Sequence, residues 1–413
     1  MQVHAPFFRM KSVMLTITLF IGSGALLSNR NTSLTSSPAN LELSKKKLAG
    51  NDACKACHSA YYESYNHTAH NLTSTPGSSI SIKGSFEEGK NFFAYNKWTE
   101  VKLEKKADGL YQTGYAAGQE LQSERMDITI GSGRKGQTYL YWKENSLYQL
   151  PVSYFKPANS WCNSPGFPTS MFKFYRIIPG QCMECHASDA VLTKEDEQGT
   201  MFEKESLVLG ITCERCHGPA VEHVNFHQQN PGAKNGQHIV NVANLSRELQ
   251  LDACAFCHSG FRKQVKPSFS FTVGEKLDDY SKAAYNSDST AVLDVHGNQY
   301  GLLTSSKCFQ KSQITCSSCH NVHETQYEAP ALFSKKCMSC HSPESKIECK
   351  LVTEKKLTLS DNCIDCHMPA LPSNKLLLQL PEKQVLSPDY VRTHRIAIYF
   401  NSTREFLSRN ISK

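Results

Sequence analysis

The stretch Thr315–His323, TCSSCHNVH, sets two cysteines three residues apart, a histidine directly after the second, and another histidine three residues further on. Its first part recurs. Cys-x-x-Cys-His stands at Cys54/Cys57/His58, Cys182/Cys185/His186, Cys213/Cys216/His217, Cys254/Cys257/His258, Cys316/Cys319/His320, Cys337/Cys340/His341 and Cys363/Cys366/His367, seven copies in all. Chance placement of 17 Cys and 16 His among 413 residues gives roughly 0.03 such units. Positions i, i+3 and i+4 share one face of a helical turn. The two thiols can therefore bond the vinyl groups of one porphyrin while the imidazole takes an axial position on its iron, which is c-type haem attachment. Structural zinc also uses paired Cys-x-x-Cys units, and cysteines pair as disulfides. Neither has a use for a histidine after the second cysteine seven times in seven. Seven covalently attached haem c groups, with their iron, are the expected cofactors.

Haems alter what length and composition imply. At 413 residues and 39% hydrophobic content, the chain is expected to replace much of an apolar side-chain core with porphyrin. The expected fold class is a mainly α and irregular multihaem cytochrome with a β-rich insertion between haem 1 and haem 2. The formal charge of +7 does not indicate a nucleic-acid partner. Loss of residues 1–25 with Arg9 and Lys11 leaves +5, and seven ferric haems with two propionates each bring the total to about −2.

The division along the chain follows texture. Residues 1–27 read as a signal peptide or N-terminal anchor: Arg9 and Lys11 precede the run Val13–Leu27, and Ser23-Gly24-Ala25 offers small residues for cleavage. Export to the periplasm or beyond suits covalent haem attachment. Membrane association would run through this N-terminus. Residues 28–50 form a polar linker, 51–81 the haem 1 segment, 82–178 the β-rich insertion and 179–413 a six-haem domain. The insertion includes QTYLYWKENSLYQLPVSYF (137–155), with Lys143-Glu144-Asn145 as a turn. It also holds Gly131-Ser132-Gly133-Arg134-Lys135-Gly136, which fits GxGxxG. The dinucleotide fingerprint requires a helix after the glycines, whereas strand-like Thr138–Trp142 follows here, so a glycine turn entering a hairpin is expected.

Histidines outside the motifs, with His4 set aside in the signal, are His67, His70, His223, His227, His238, His296, His323 and His394. Eight candidates for seven distal positions imply mostly bis-histidine haems, which are of lower potential than Met/His sites. His323 and His223 follow His320 and His217 too closely to reach the far face of the same haem, so each would serve a neighbour. His67 competes with His70 one turn away, His227 lies one turn beyond His223, and His238 sits in a polar loop. Met126, Met171 and Met201 are alternative axial sulfurs or core residues. Outside the motifs, Cys308 and Cys349 could bridge in an oxidising compartment, leaving Cys162 odd.

ITCERCHGPAVEHV (211–224) resembles the cytochrome c554 type, in which a distal histidine follows a CHGP segment; His223 matches that position. GSGRKGQTYLYW, CSSCHNVH, CIDCHMP and RTHRI likewise resemble exported multihaem cytochromes of the nitrite reductase and hydroxylamine oxidoreductase superfamily. The resemblance implies distal ligation by His70, His223, His296, His323 and His394 first, with His67 and His227 behind them. It also implies that one haem could lack a distal ligand. Nitrite reductases often carry lysine in place of the motif histidine at the catalytic haem, and no Cys-x-x-Cys-Lys occurs here. The expected function is electron transfer between redox partner proteins rather than catalysis. The alternative is an oxidoreductase acting on a small nitrogen or sulfur oxyanion at one five-coordinate haem.

Overall fold

A computed structural model describes residues 48–284, 293–342, 345, 349, 351, 362–381, 383 and 385–411. The expected signal or anchor, residues 1–27, and nearly all of the linker 28–50 lie outside the described residues. About 29% of the chain is helix and 28% strand, and the strands concentrate between the first two motifs.

Strands β2 (Phe92–Asn96), β3 (Thr99–Lys106), β4 (Gly109–Ala116) and β5 (Gln119–Arg125) form a four-stranded antiparallel meander. A second antiparallel sheet runs in the order β1 (Ser74–Pro76), β6 (Ile128–Ile130), β7 (Gly136–Lys143), β8 (Ser146–Gln149), β11 (Arg176–Ile177). Strand β9 (Val152–Phe155) pairs with both β7 and β10 (Ser160–Asn163). Because β1 pairs with β6, this sheet reaches back ahead of residue 82, toward the first motif. The GSGRKG segment joins β6 to β7 as a hairpin turn, with Gly131 and Gly133 at φ 100° and 81°, a conformation that favours glycine. Turn residue Glu144, at φ 54°, joins β7 to β8.

Alternation along β3 sends Val101 and Leu103 inward, both fully buried. They join Phe93, Tyr139, Tyr141, Trp161 and Phe174 in one core. Strand β7 is covered on both faces. Tyr139 and Tyr141 enter that core, while Leu140 faces a second one containing Ile128, Leu147, Phe202 and Met183. Met183 lies between Cys182 and Cys185, so the sheet fixes the second motif through a residue of the motif itself.

Helices in the described residues are short: α1 (Asn51–Tyr65), α2 (Gly180–Glu184), α3 (Cys213–His217), α4 (Val221–Gln229), α5 (Arg247–His258), α6 (Gln299–Thr304), α7 (Lys307–Gln310), α8 (Pro330–Met338), α9 (Ile364–His367) and α10 (Phe400–Ile411). Ser246 caps α5, its hydroxyl accepting from the Leu249 N–H at 3.4 Å. The segment 299–312 is two helices rather than one, because Ser305 and Ser306 interrupt it. The segment 391–411 begins as strand and extended chain and becomes helical only at Phe400. After the last motif, the antiparallel strands Ala370–Leu378 and Ser387–Arg392 return to the β-rich region. A bridge between Asn163 and Gln379 and an ion pair of Lys135 with Asp389, 2.9 Å, make that contact.

Candidate haem sites

Each motif sits on a turn that stops or breaks at or near its histidine. Helices α3, α5 and α9 end at His217, His258 and His367. Helix α1 is interrupted at His58, with φ −116° and ψ 39°. Helical spacing thus presents the two sulfurs and the imidazole on one side, and the chain then turns away.

Four motif histidines face an imidazole from elsewhere in the chain. Ring centres are 6.4 Å apart for His58 and His223, 6.0 Å for His258 and His70, 6.1 Å for His217 and His323, and 6.2 Å for His320 and His394. A metal–nitrogen bond of about 2.0 Å plus about 1.1 Å to the ring centre would set two trans imidazoles about 6.2 Å apart. Rings in direct contact come closer, as the 4.6 Å between the tilted rings of His223 and His227 illustrates. The residues therefore fit a metal held between the paired rings.

The outer nitrogens fit as well. Nδ1 of His217 is 2.8 Å from the Val240 carbonyl, that of His223 2.8 Å from the Gln237 carbonyl, and that of His367 2.9 Å from the Ala397 carbonyl. His186 Nδ1 is 2.9 Å from Thr73 Oγ1. A carbonyl at Nδ1 places the proton there and leaves Nε2 as the ligand, the usual outer-shell arrangement of metal-binding histidine. Burial first, then His258 and His320, push His70 down to about 4. Burial first, then His320, takes His394 to about 4 as well. Both imidazoles are held neutral, the protonation state that binds metal.

Sulfur contacts connect the motifs. Cys54 is in contact with Cys213, Cys185 with Cys257, Cys254 with Cys316, and Cys337 with Cys363. Cys319 also lies close enough to Cys340 for its thiol to feel that charge. Thiols here occupy the positions of thioether sulfurs in an attached haem, so their contacts mark which attachment sites adjoin. With Cys216 of motif 3 close to Cys254 of motif 4, motifs 1, 3, 4, 5, 6 and 7 follow one another in space, and motif 2 adjoins motif 4.

Motifs 1 and 6 are only half enclosed. Cys57 and His58 are exposed, and so are Cys340 and His341. The reason lies in how their helices pack. In each motif the first cysteine turns inward, Cys54 to Cys213 and Cys337 to Cys363, and α1 and α8 bury little beyond Tyr65 and Ser334. The second cysteine and the histidine then emerge at the surface. His341 lies close to Cys363 of motif 7.

The intervening residues of the motifs tie this array together. Glu214, 6% exposed, accepts from the backbone N–H groups of Ala49, Gly50 and Ala220 at 2.8, 2.9 and 2.8 Å. It fastens the start of α1 to motif 3. Glu214→Ala would leave the buried Ala220 N–H without its acceptor and free the partly exposed N–H groups of Ala49 and Gly50 to water, and is expected to cost about 1–3 kcal/mol, read as a lower urea midpoint by far-ultraviolet circular dichroism. Arg215 donates to the carbonyls of Glu184 and Phe271 and lies 4.6 Å over the Phe256 ring, joining motifs 2, 3 and 4.

Other expected ligands are placed differently. His67 is exposed, and its carbonyl accepts from Arg134 and Thr325. His227 has a buried Nε2 with no hydrogen-bond partner. His238 is exposed beside Glu222, 3.7 Å away. His296 is exposed, its backbone N–H bonded to Asp294. No second imidazole is in ring contact with His186 or His367 among the described residues. Met126 is a core residue and Met171 is exposed. Cys308 and Cys349 are both free thiols rather than a disulfide; Cys308 lies toward Cys340 and Cys349 toward Cys366. Thr73, Glu214 and Arg215 carry no signal of their role in the sequence, and the carbonyls of Val240, Gln237 and Ala397 have no side-chain signature by which to find them.

A family model described as "Cytochrome c554 and c-prime" matches residues 175–218 and 315–387, which contain motifs 2, 3, 5, 6 and 7. The chain is 25% identical over 181 residues to "Multiheme cytochrome MtrA" of Shewanella baltica (strain OS185). The chain is a multihaem c-type cytochrome. The match to that curated relative spans 39% of this cytochrome and 52% of the relative, about half its length. Likeness of fold extends further: the solved structure titled "Crystal Structure of Outer Cell Wall Cytochrome OcwA" aligns over 89% of this cytochrome and 84% of its own chain, with a TM-score of 0.56 and 17% identity. Among its described residues the cytochrome has no helix long and apolar enough to cross a membrane.

Proposed function

We propose that the cytochrome holds seven haems, most of them bis-histidine, and relays electrons between redox partner proteins outside the cytoplasm. The observation that carries this reading is the set of four imidazole pairs 6.0–6.4 Å apart, each joining a motif histidine to one distant in sequence. On this reading His223, His70, His323 and His394 are the distal partners of His58, His258, His217 and His320. His227, with its unpartnered buried Nε2, is the next candidate for an iron. Haem iron supplies a one-electron couple when bound. The chain's part is to hold two neutral imidazoles on fixed supports, so that little rearranges on electron transfer, and to set neighbouring sites side by side. The sulfur contacts support a relay through motifs 1, 3, 4, 5, 6 and 7, with motif 2 branching at motif 4. Only in motifs 1 and 6 are both the second cysteine and the histidine exposed, Cys57 with His58 and Cys340 with His341, which makes these motifs the places where partners would exchange electrons. The expected export segment and the likeness to an outer cell wall cytochrome support an extracytoplasmic location.

A second reading, reduction or oxidation of a small nitrogen or sulfur oxyanion, rests on His186 and His367. Nδ1 of each is bonded within the protein, and neither has a second imidazole in ring contact among the described residues. Electron paramagnetic resonance of the oxidised protein separates the two. A relay is expected to give mainly low-spin ferric signals, with any high-spin component unmoved by nitrite or hydroxylamine. A substantial high-spin signal that moves on adding nitrite or hydroxylamine would replace the relay by catalysis.

A further inference from the structure

The four imidazole pairs differ in the angle between their rings. His217 and His323 are 16° from parallel, His58 and His223 19°, and His320 and His394 26°. His258 and His70 lie at 83°, close to perpendicular, although their separation of 6.0 Å is much the same.

Ring angle has an electronic consequence where two imidazoles share one iron. Each donates π density, from the orbital normal to its plane, into the iron d orbital that points the same way. Parallel rings raise one d orbital together, so the ferric hole settles there and the oxidised iron is stabilised. Perpendicular rings raise one d orbital each, leave the two nearly equal in energy, and stabilise the ferric state less. Axial ligands are a main lever on haem potential, and their orientation acts through the same orbitals.

The perpendicular setting is built into the backbone around motif 4. After His258 the chain turns through Ser259, fully buried, and Gly260 at φ 73°, a conformation that favours glycine. The Gly260 N–H donates to the Gly297 carbonyl at 2.7 Å. Asn298, 6% exposed, caps α6, its side chain accepting from the Gly301 N–H at 3.2 Å. These contacts bring Gln299, the first residue of α6, against the motif, with its Oε1 3.3 Å from His258 Nδ1. Nδ1 of His217 and of His367 meets a backbone carbonyl instead. An acceptor at Nδ1 fixes the plane of a ligating imidazole, and at motif 4 that acceptor is a side chain. His70 is held from the other side. Its carbonyl accepts from the N–H groups of Thr73 and Ile211 at 3.2 and 3.0 Å.

Resting on the bis-histidine reading of motif 4, we infer that Gln299 is a positioning residue that holds the His258 ring across that of His70. The haem of motif 4 then has a nearly degenerate ferric iron and a higher potential than a parallel pair would have in the same place. That site lies where motifs 2, 3 and 5 meet, so the junction is where an electron is held most readily.

The test is low-temperature electron paramagnetic resonance of the fully oxidised holoprotein. Parallel pairs give rhombic low-spin signals, and a perpendicular pair gives a strongly anisotropic one with its main feature at lower field. His70→Met should remove an anisotropic signal. Gln299→Leu should convert most of that signal to a rhombic one and lower its midpoint, with haem content and the remaining signals unchanged. Gln299→Glu keeps an acceptor at the same reach and should retain the signal. A leucine variant that keeps the signal in full overturns the role of Gln299, and so does a glutamate variant that loses it with its haems intact. Loss of the Nδ1 acceptor alone acts to raise the potential, so an unchanged or raised midpoint in the leucine variant overturns the effect assigned to ring angle. If His70→Met removes a rhombic signal instead, the pairing stands and the perpendicular setting is overturned. If His70→Met alters no low-spin signal, the pairing itself fails, and the bis-histidine reading of motif 4 with it.

Discussion

Replacing His70 with methionine is expected to raise the midpoint potential of one haem while the others keep theirs. His70 faces His258 at 6.0 Å, and motif 4 adjoins motifs 2 and 5 through its sulfurs. A change from His/His to Met/His ligation raises potential, and a shift on the order of 100 mV or more is modest within the roughly 0.8 V that axial ligands span. On the proposed relay motif 4 is the branch point, so the altered site would become an electron trap in its middle. Spectroelectrochemical titration should show one component moved upward, and stopped-flow oxidation after full reduction should leave one slow haem. His67→Met, one turn away on the exposed side, is the comparison: an equal shift there in place of His70→Met would reassign the distal ligand.

Trp161→Ala is expected to cost about 3–5 kcal/mol, the usual loss for truncating a buried tryptophan. Trp161 is 2% exposed, with Phe86, Tyr139 and Tyr154 around it at 5.8, 5.8 and 6.1 Å between ring centres. Its Nε1–H donates to the Ser85 carbonyl at 2.8 Å, an acceptor the truncation would leave open. Gly84 approaches so closely that a Cβ there would fall 2.2 Å from the indole ring. The surroundings are therefore shaped to tryptophan alone, and collapse around alanine would be incomplete. The effect should appear in urea unfolding followed by circular dichroism in the strand region. Haem absorbance is expected to change later in the same titration, since the core around Trp161 contains no motif residue. A loss below about 1 kcal/mol would mean that this core contributes little to stability.

How much is legible in the sequence follows from the range of each interaction. A haem attachment unit is five consecutive residues on one helical turn, so Cys316, Cys319 and His320 declare their chemistry locally. The hairpin at Gly131–Gly136 is legible for the same reason, since the strand-like residues follow the glycines directly. Distal histidines are a different matter. His67 and His70, or His223 and His227, are one turn apart and chemically identical, and only packing decides which ring meets a motif histidine. His296 is as good a candidate on paper as His323, yet it is exposed and in no imidazole ring contact among the described residues. Enclosure is equally hidden: Cys57 and His341 belong to motifs identical in form to the more enclosed ones, and the packing of α1 and α8 leaves both the second cysteine and the histidine of these two at the surface. The ties made by Glu214 and Arg215 stay out of sight because charged residues inside Cys-x-x-Cys look like solvent-facing spacers until distant segments are brought against them.

By itself, then, the sequence determined the cofactor chemistry, through seven short motifs and a pool of spare histidines. Tertiary structure alone decided the pairings and the spatial order of the motifs. His323 shows the physical reason. Its place three residues after His320 excludes one haem by simple reach, but nothing local selects His217 over the other sites. That selection is made where the loop carrying Thr325 is held by Arg134 and the His67 carbonyl, contacts that exist only once distant segments have packed together.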